Sequence, residues 1–318
     1  MAAVTILDGG MGHLLRRRGV EIVGEIGSMR RFLGVALANT EQPSLVAEAH
    51  IEYLRAGATV ITTNSYSCVP AALDLTGDSS WELVERNIDA AGRCACEARE
   101  KFLETGKGAP RSIQIAGCIP PLRESYRPDR VGPDEEIRAV YSKIVKTIAP
   151  HCDLLLCETM SCVREAVAAA ETAAKSSMPV WVSFTLHEDG SGNLRSTETI
   201  GEAVLAIKHV PNLEAILLNC SSHESIKSAL GQISVALGDD GGVLAVGAYA
   251  NGFITVKGGT MSKNGGSEEY VDLSPEDYVH QADEYLKLGA SIVGGCCGVF
   301  PEHIEAVASK HFIVKNYR

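Results

Sequence analysis

The stretch Ser44-Leu45-Val46-Ala47-Glu48-Ala49-His50-Ile51-Glu52-Tyr53-Leu54-Arg55-Ala56-Gly57-Ala58-Thr59-Val60-Ile61-Thr62 changes period halfway through. Up to Arg55, the apolar positions Leu45, Val46, Ala49, His50, Tyr53 and Leu54 recur at helical spacing behind Ser44, which reads as a cap. After the two-residue link Ala56-Gly57, residues 58–62 form a short β-branched run of the kind that makes a buried strand. Helix, short link, buried strand is half of a βα repeat.

The same unit recurs in both directions. Apolar strand runs are expected at residues 5–7, 58–62, 113–116, 153–157, 179–185, 215–218, 244–248 and 291–293. Helical patterns are expected at residues 44–55, 81–102 (behind Ser79-Ser80), 133–148, 161–174, 198–208, 222–237, 274–288 and 301–308. Eight strands alternating with eight helices predict a (β/α)8 TIM barrel, one α/β domain over residues 1–318. An open doubly wound sheet shares this alternation, and periodicity alone does not show closure. Links from helix to strand are short, whereas strand-to-helix links are longer. The longest span residues 9–43, 118–133 and 251–272 and are rich in Gly, Pro and polar residues. Long loops in a compact fold carry function, and these would leave the carboxyl ends of strands, the catalytic face of a barrel. The Gly-rich residues 257–267 read as a flexible loop over that face.

Composition narrows the function. Of 318 residues, 45% are hydrophobic but only 5% aromatic, so aliphatic and small side chains must fill the core. Lys and Arg number 29 against 40 Asp and Glu, a formal net charge of −11 with no basic stripe, which excludes a nucleic-acid surface. No apolar run is long enough to span a membrane and no leader pattern is evident. Ten cysteines in such a chain point to a reducing, cytoplasmic setting and to free thiols or metal ligands. Gly9-Gly10-Met11-Gly12 has the wrong spacing for a dinucleotide loop. Arg16-Arg17-Arg18 reads as a solvated face, and the acidic 187–192 segment as a turn.

Seven cysteines, among them Cys94, Cys96, Cys118 and Cys157, read as small buried hydrophobes. The other three close strands. Cys220 follows Ile216-Leu217-Leu218-Asn219, and Cys296-Cys297 follow Val293-Gly294-Gly295. On a barrel the sixth and eighth strand ends lie on one rim, separated by the seventh. Adjacent strand residues point to opposite faces. Flanking glycines are expected to relax that rule and let both sulfurs turn inward. Three converging thiolates with a free fourth position suit a catalytic zinc site. A vicinal disulfide or a pair of buried thiols is the alternative.

Together these segments resemble the homocysteine S-methyltransferase family. The resemblance rests on Leu7-Asp8-Gly9-Gly10-Met11-Gly12, Thr62-Thr63-Asn64-Ser65-Tyr66, Glu158-Thr159, Asn219-Cys220 and Gly294-Gly295-Cys296-Cys297-Gly298. It implies a barrel holding Zn2+ on Cys220, Cys296 and Cys297, which transfers a methyl group to the thiol of homocysteine to give methionine. By the same resemblance Asp8 and Glu158 lie near the amino group of homocysteine, Tyr66 lies near the methyl donor, and Tyr249 and Asn251 belong to the loop after the seventh strand. Asn219 is expected to support the metal loop or to touch substrate, and Thr159 to offer a weak oxygen ligand. Two segments depart from the family pattern: Ala250 stands where relatives carry Pro, and Gly117-Cys118-Ile119-Pro120-Pro121-Leu122 replaces Gly-Ser-x-Gly-Pro-Tyr. With no extra folate, cobalamin or C-terminal segment, a sulfonium donor is expected: S-methylmethionine, or S-adenosylmethionine. The partners are therefore small molecules, and the sequence fixes no oligomeric state. Redox cycling of Cys296-Cys297 against Cys220, or a silent zinc- or amino-acid-binding barrel, are the competing functions.

The chemistry explains the residue types. A free thiol with pKa about 8.5 is only about 3% thiolate at pH 7, and zinc ionises it outright. Full ionisation lowers the barrier by about 2 kcal/mol. Fixing the sulfur in place contributes several more.

Overall fold

Parallel strands form where the β-branched runs were expected, and each is buried on both faces. The structure is a computed structural model that describes residues 4–21, 29–73, 81–104, 112–238, 244–256 and 269–311. The barrel strands are β1 (Thr5–Ile6), β2 (Val60–Thr62), β3 (Gln114–Ile119), β4 (Leu154–Met160), β5 (Val180–Phe184), β6 (Leu213–Asn219), β7 (Ala245–Tyr249) and β10 (Ile292–Val293). They form one eight-stranded sheet in the order β1-β10-β7-β6-β5-β4-β3-β2, with every pairing parallel. The β1/β2 seam closes through the Leu7–Val60 bridge, with Thr59 N donating to Ile6 O at 2.8 Å and Asp8 N to Val60 O at 3.0 Å. This closure excludes the open doubly wound sheet.

Alternation along the strands sorts the core into two layers. Leu7, Val60, Leu156, Trp181, Leu217 and Ile292 fill the barrel, with Ala116 and Ala215 leaving room for the larger side chains. Ile6, Ile61, Leu155, Val182, Ile216 and Val293 face outward and pack under the helices. Each fully buried Leu or Ile contributes about 1.5–3 kcal/mol. The surrounding helices include α3 (Pro43–Arg55), α5 (Trp81–Glu104), α6 (Asp134–Ile148), α7 (Val163–Ala174), α8 (Ile200–Ile207), α9 (His223–Leu237), α10 (Pro275–Lys287) and α11 (Pro301–His311). Their apolar stripes supply the partners, among them Leu54, Ile88, Ile144, Ala169, Val204 and Ile226.

Several local expectations change. Ser44 is not a cap: Pro43 occupies the first turn of α3, because its fixed φ and missing N–H suit that position. Strand β4 runs on to Met160, so α7 starts at Val163 rather than at Ser161. A capping box of Thr199 and Glu202 opens α8, while Ser222 and Ser274 cap α9 and α10 through their hydroxyls. Residues 9–43 are no plain loop, since they hold α1 (Met11–Arg17) and α2 (Leu33–Glu41). Between β7 and α10 an antiparallel hairpin forms from β8 (Phe253–Val256) and β9 (Glu269–Asp272). The Gly-rich 257–267 segment and Ser79-Ser80 lie outside the described residues. Among the described residues no helix is long and apolar enough to cross a membrane.

Candidate active site and metal centre

The three singled-out sulfurs meet at the carboxyl end of the barrel. Cys220, Cys296 and Cys297 hold their Sγ atoms within 4.8 Å of one another, and all ten cysteines are free thiols. Cys220 directly follows β6 in a left-handed conformation with φ +50°, which turns its side chain off the strand direction. Cys296 and Cys297 lie beyond β10, where the two-residue alternation of a strand no longer applies. Of the glycines around them, Gly298 takes a left-handed φ of +75°. Gly295 serves a different need: a Cβ there would lie 2.3 Å from that of Val299, so only glycine fits. Relaxed backbone angles are thus found at Gly298, whereas Gly295 answers to close packing. Backbone bonds fix the loop, with Cys296 N donating to Ala250 O at 2.9 Å and Gly252 N to Cys297 O at 2.7 Å. The Tyr278 hydroxyl of α10 donates to Gly294 O at 2.7 Å and Ala250 O at 3.1 Å.

The donor set fits a tetrahedral metal. Sulfurs held about 2.3 Å from zinc lie about 3.8 Å apart in that geometry. The Cys220 and Cys297 sulfurs are 3.8 Å apart. Thiol hydrogens of Cys296 and Cys297 stabilise a thiolate at Cys220 and hold its pKa well below the usual thiol range, while those two are pushed up. The Tyr126 hydroxyl donates to Cys220 Sγ at 2.7 Å.

Two carboxyl groups share the cavity with the sulfurs. Glu158 follows Leu154 and Leu156 on the inward stripe of β4. It accepts from the Tyr249 hydroxyl at 3.0 Å and from Cys118 Sγ at 3.4 Å. Burial pushes its pKa up to about 7. Asp8 accepts from Thr62 N at 2.8 Å and Thr62 Oγ1 at 3.2 Å, and burial with the nearby Glu158 raises it to about 8. Among the described residues neither has an ion-pair partner, so a bound cation would restore both to carboxylates.

The cavity encloses about 580 Å³ and is lined by Asp8, Tyr66, Glu158, Thr159, Cys220, Tyr249, Asn251, Cys296 and Cys297. Tyr66 shares a 2.8 Å hydrogen bond with Ser125. Asn251 is buried, and its side-chain oxygen has no donor among the described residues. Asn219 is not among the residues lining the cavity. It lies beneath, donating to Thr159 Oγ1 at 2.8 Å, accepting from Ser183 Oγ at 2.8 Å, and approaching Cys296 Sγ at 3.8 Å. Thr159 sits at φ +61°.

Some contributors were not legible beforehand. Ser125 and Tyr126 come from the 118–133 loop, whose conformation no periodicity encodes. Phe32, Phe253 and Phe300 add aromatic walls, and His13 and Arg16 stand on α1 at the rim. Cys118, read as an idle thiol, touches Glu158. In the Arg16-Arg17-Arg18 run, Arg17 stacks on Phe300 and pairs with Glu302 at 2.7 Å, and Arg18 pairs with Glu52, so the run is not merely a solvated face. The 187–192 segment is a turn, with Asp189 accepting from Ser191 N at 2.9 Å.

The site is thus a cavity at the carboxyl rim of a closed parallel barrel, with three cysteine sulfurs converging in it. Residues 5–311 match the family model described as homocysteine S-methyltransferase, and the chain belongs to that family. It is 27% identical to a homocysteine S-methyltransferase of Escherichia coli, over 96% of this chain and 95% of that protein. It is 28% identical to a betaine-homocysteine S-methyltransferase of Drosophila melanogaster, over 83% and 82%. The crystal structure of the metallated form of the E. coli homocysteine methyltransferase MmuM superposes with a TM-score of 0.76 at 25% identity, covering 96% of each chain.

Proposed function

We propose that this chain, acting as one barrel unit over residues 1–318, transfers a methyl group from a sulfonium donor to the sulfur of L-homocysteine, giving methionine. S-methylmethionine is the first donor and S-adenosylmethionine the second. The observation that carries the proposal is the convergence of Cys220, Cys296 and Cys297 in one cavity with two buried carboxyl groups that have no ion-pair partner among the described residues. Zinc on the three sulfurs would supply ionisation of the homocysteine thiol at neutral pH and a fixed position for it.

The chain's own residues do the rest. Asp8 and Glu158 accept the ammonium group of homocysteine, and its positive charge holds both carboxyls ionised. Tyr249 keeps Glu158 oriented through the 3.0 Å hydrogen bond. Asn219, fixed by Ser183 and Thr159, braces the metal loop from below. The aromatic side chains of Tyr66, Phe32, Phe253 and Phe300 line the cavity, a surface suited to a methylated cation and to excluding water. As the methyl group leaves, the donor loses its positive charge and becomes a neutral thioether, which an apolar wall accommodates.

A donor comparison tests the assignment. Purified protein supplied with zinc and homocysteine should form methionine fastest with S-methylmethionine, then S-adenosylmethionine, then betaine. Preference for betaine overturns the donor, and no methionine with any of the three overturns the activity.

A further inference from the structure

Tyr126 stands out because the fold invests several residues in placing its hydroxyl on one sulfur. Its backbone is left-handed, with φ +64°. The guanidinium of Arg195 lies 4.6 Å from the centre of its ring. Arg195 is itself nearly enclosed, with 8% of its side chain exposed, and pairs with Glu188 at 2.8 Å. The other carboxylate oxygen of Glu188 accepts from Ser222 N at 3.0 Å, two residues past Cys220. The segments following β3, β5 and β6 are thereby joined through Glu188, Arg195, Tyr126 and Cys220. Beyond the contacts the three thiols make with one another, among the described residues Cys296 has the Asn219 amide at 3.8 Å and Cys297 has no side-chain donor.

This asymmetry meets a chemical hazard of the site. The protein sulfurs are as soft as the substrate sulfur and line the same cavity. If Cys220 Sγ attacked the methyl carbon of a sulfonium donor, an S–CH3 bond would form on the cysteine. The donor's C–S bond would break, with its electron pair left on the neutral thioether. The resulting S-methylcysteine would have lost its negative charge as a metal ligand, and no group in the site reverses the step. A hydrogen bond to sulfur occupies a lone pair and lowers its nucleophilicity.

We infer that Tyr126, held in place by Arg195 and Glu188, is a positioning residue that shields Cys220 from the methyl donor by hydrogen bonding its sulfur, a role that rests on the methyl-transfer reading of this site. The test follows each cysteine by peptide mass in the wild type, Tyr126→Phe and Arg195→Gln, zinc-loaded and metal-free. Iodoacetamide is the general probe, and S-methylmethionine without homocysteine the specific one. In Tyr126→Phe, Cys220 should be modified about tenfold faster, the size of one lost hydrogen bond to a charged group, with Cys296 and Cys297 unchanged. Arg195→Gln should shift Cys220 in the same direction by less, and it decides the matter if the tyrosine variant does not fold. Equal Cys220 rates in all three proteins, or equal acceleration of all three cysteines, overturns the proposal. Wild-type protein that binds no zinc overturns the proposed function instead. Metal-free protein compared at alkaline pH, where Cys220 is a thiolate with or without the tyrosine hydroxyl, then still decides the role of Tyr126: Cys220 should react faster in Tyr126→Phe, and an equal rate overturns it.

Discussion

Asp8 shows how burial converts an ordinary carboxylate into a ligand-dependent one. Its pKa of about 8 in the folded chain exceeds the ordinary 3.8, so the folded state keeps a proton that the unfolded state has already released. Stability therefore falls as pH rises from about 4 to about 8. Asp8→Asn removes this dependence. The ligand-free variant should melt several degrees above the wild type at pH 9 and level with it near pH 4, as a pH series of thermal melts would show. A wild type at least as stable at pH 9 contradicts the burial account. Glu158→Gln keeps the shape but loses the charge offered to an ammonium. KM for homocysteine should rise about tenfold or more, the scale of one charge-assisted hydrogen bond, with zinc content unchanged. An unaltered KM removes Glu158 from substrate binding.

Between residues and the whole barrel, the loop after β10 shows how one element holds a site. Its Cys296-Cys297 segment has little regular structure, yet it is tied to the chain after β7 by backbone bonds and to α10 by the Tyr278 hydroxyl. Tyr278 is buried, so removing its oxygen leaves the Gly294 carbonyl short of a donor, while Ala250 O keeps Cys296 N, and opens no large cavity. Tyr278→Phe should destabilise the protein by about 1–3 kcal/mol in urea unfolding. It should also weaken zinc retention in a chelator competition, because the sulfurs at 296 and 297 lose their fixed distance to Cys220. Wild-type zinc retention in that variant would mean the backbone bonds suffice.

Across the whole molecule, the barrel interior is the platform under the cavity. Leu156 sits fully buried two residues below Glu158 on the inward stripe, among Leu217, Trp181 and Leu154. Leu156→Ala should cost about 2–5 kcal/mol, since interlocked side chains from eight strands cannot collapse into the gap. Denaturant titration measures that loss. In the absence of denaturant, zinc content should be retained, because the cysteines are fixed from the rim.

The fold was largely readable from local pattern. The period switch between helix and strand around Ala56-Gly57 repeats along the chain, and burial on both faces follows from strands lacking polar alternation. Positions at strand ends singled out Cys220, Cys296 and Cys297, because a parallel barrel gathers such ends on one rim, whereas Asp8 and Glu158 were implied by the family resemblance. Ser44 and Ser161 misled because competing starts, Pro43 and a longer β4, are settled by backbone geometry rather than residue preference. Other features required the folded chain. Barrel closure depends on Leu7 meeting Val60 across 52 intervening residues. The 2.7 Å approach of Tyr126 to Cys220 spans 94 positions and depends on a left-handed turn in an aperiodic loop. Cys118 and Asn219 changed meaning for the same reason: one touches Glu158, and the other lies beneath the cavity. Periodicity is a local property and survives in the linear chain. Distances between loops are set by packing of the complete barrel, and no short segment encodes them.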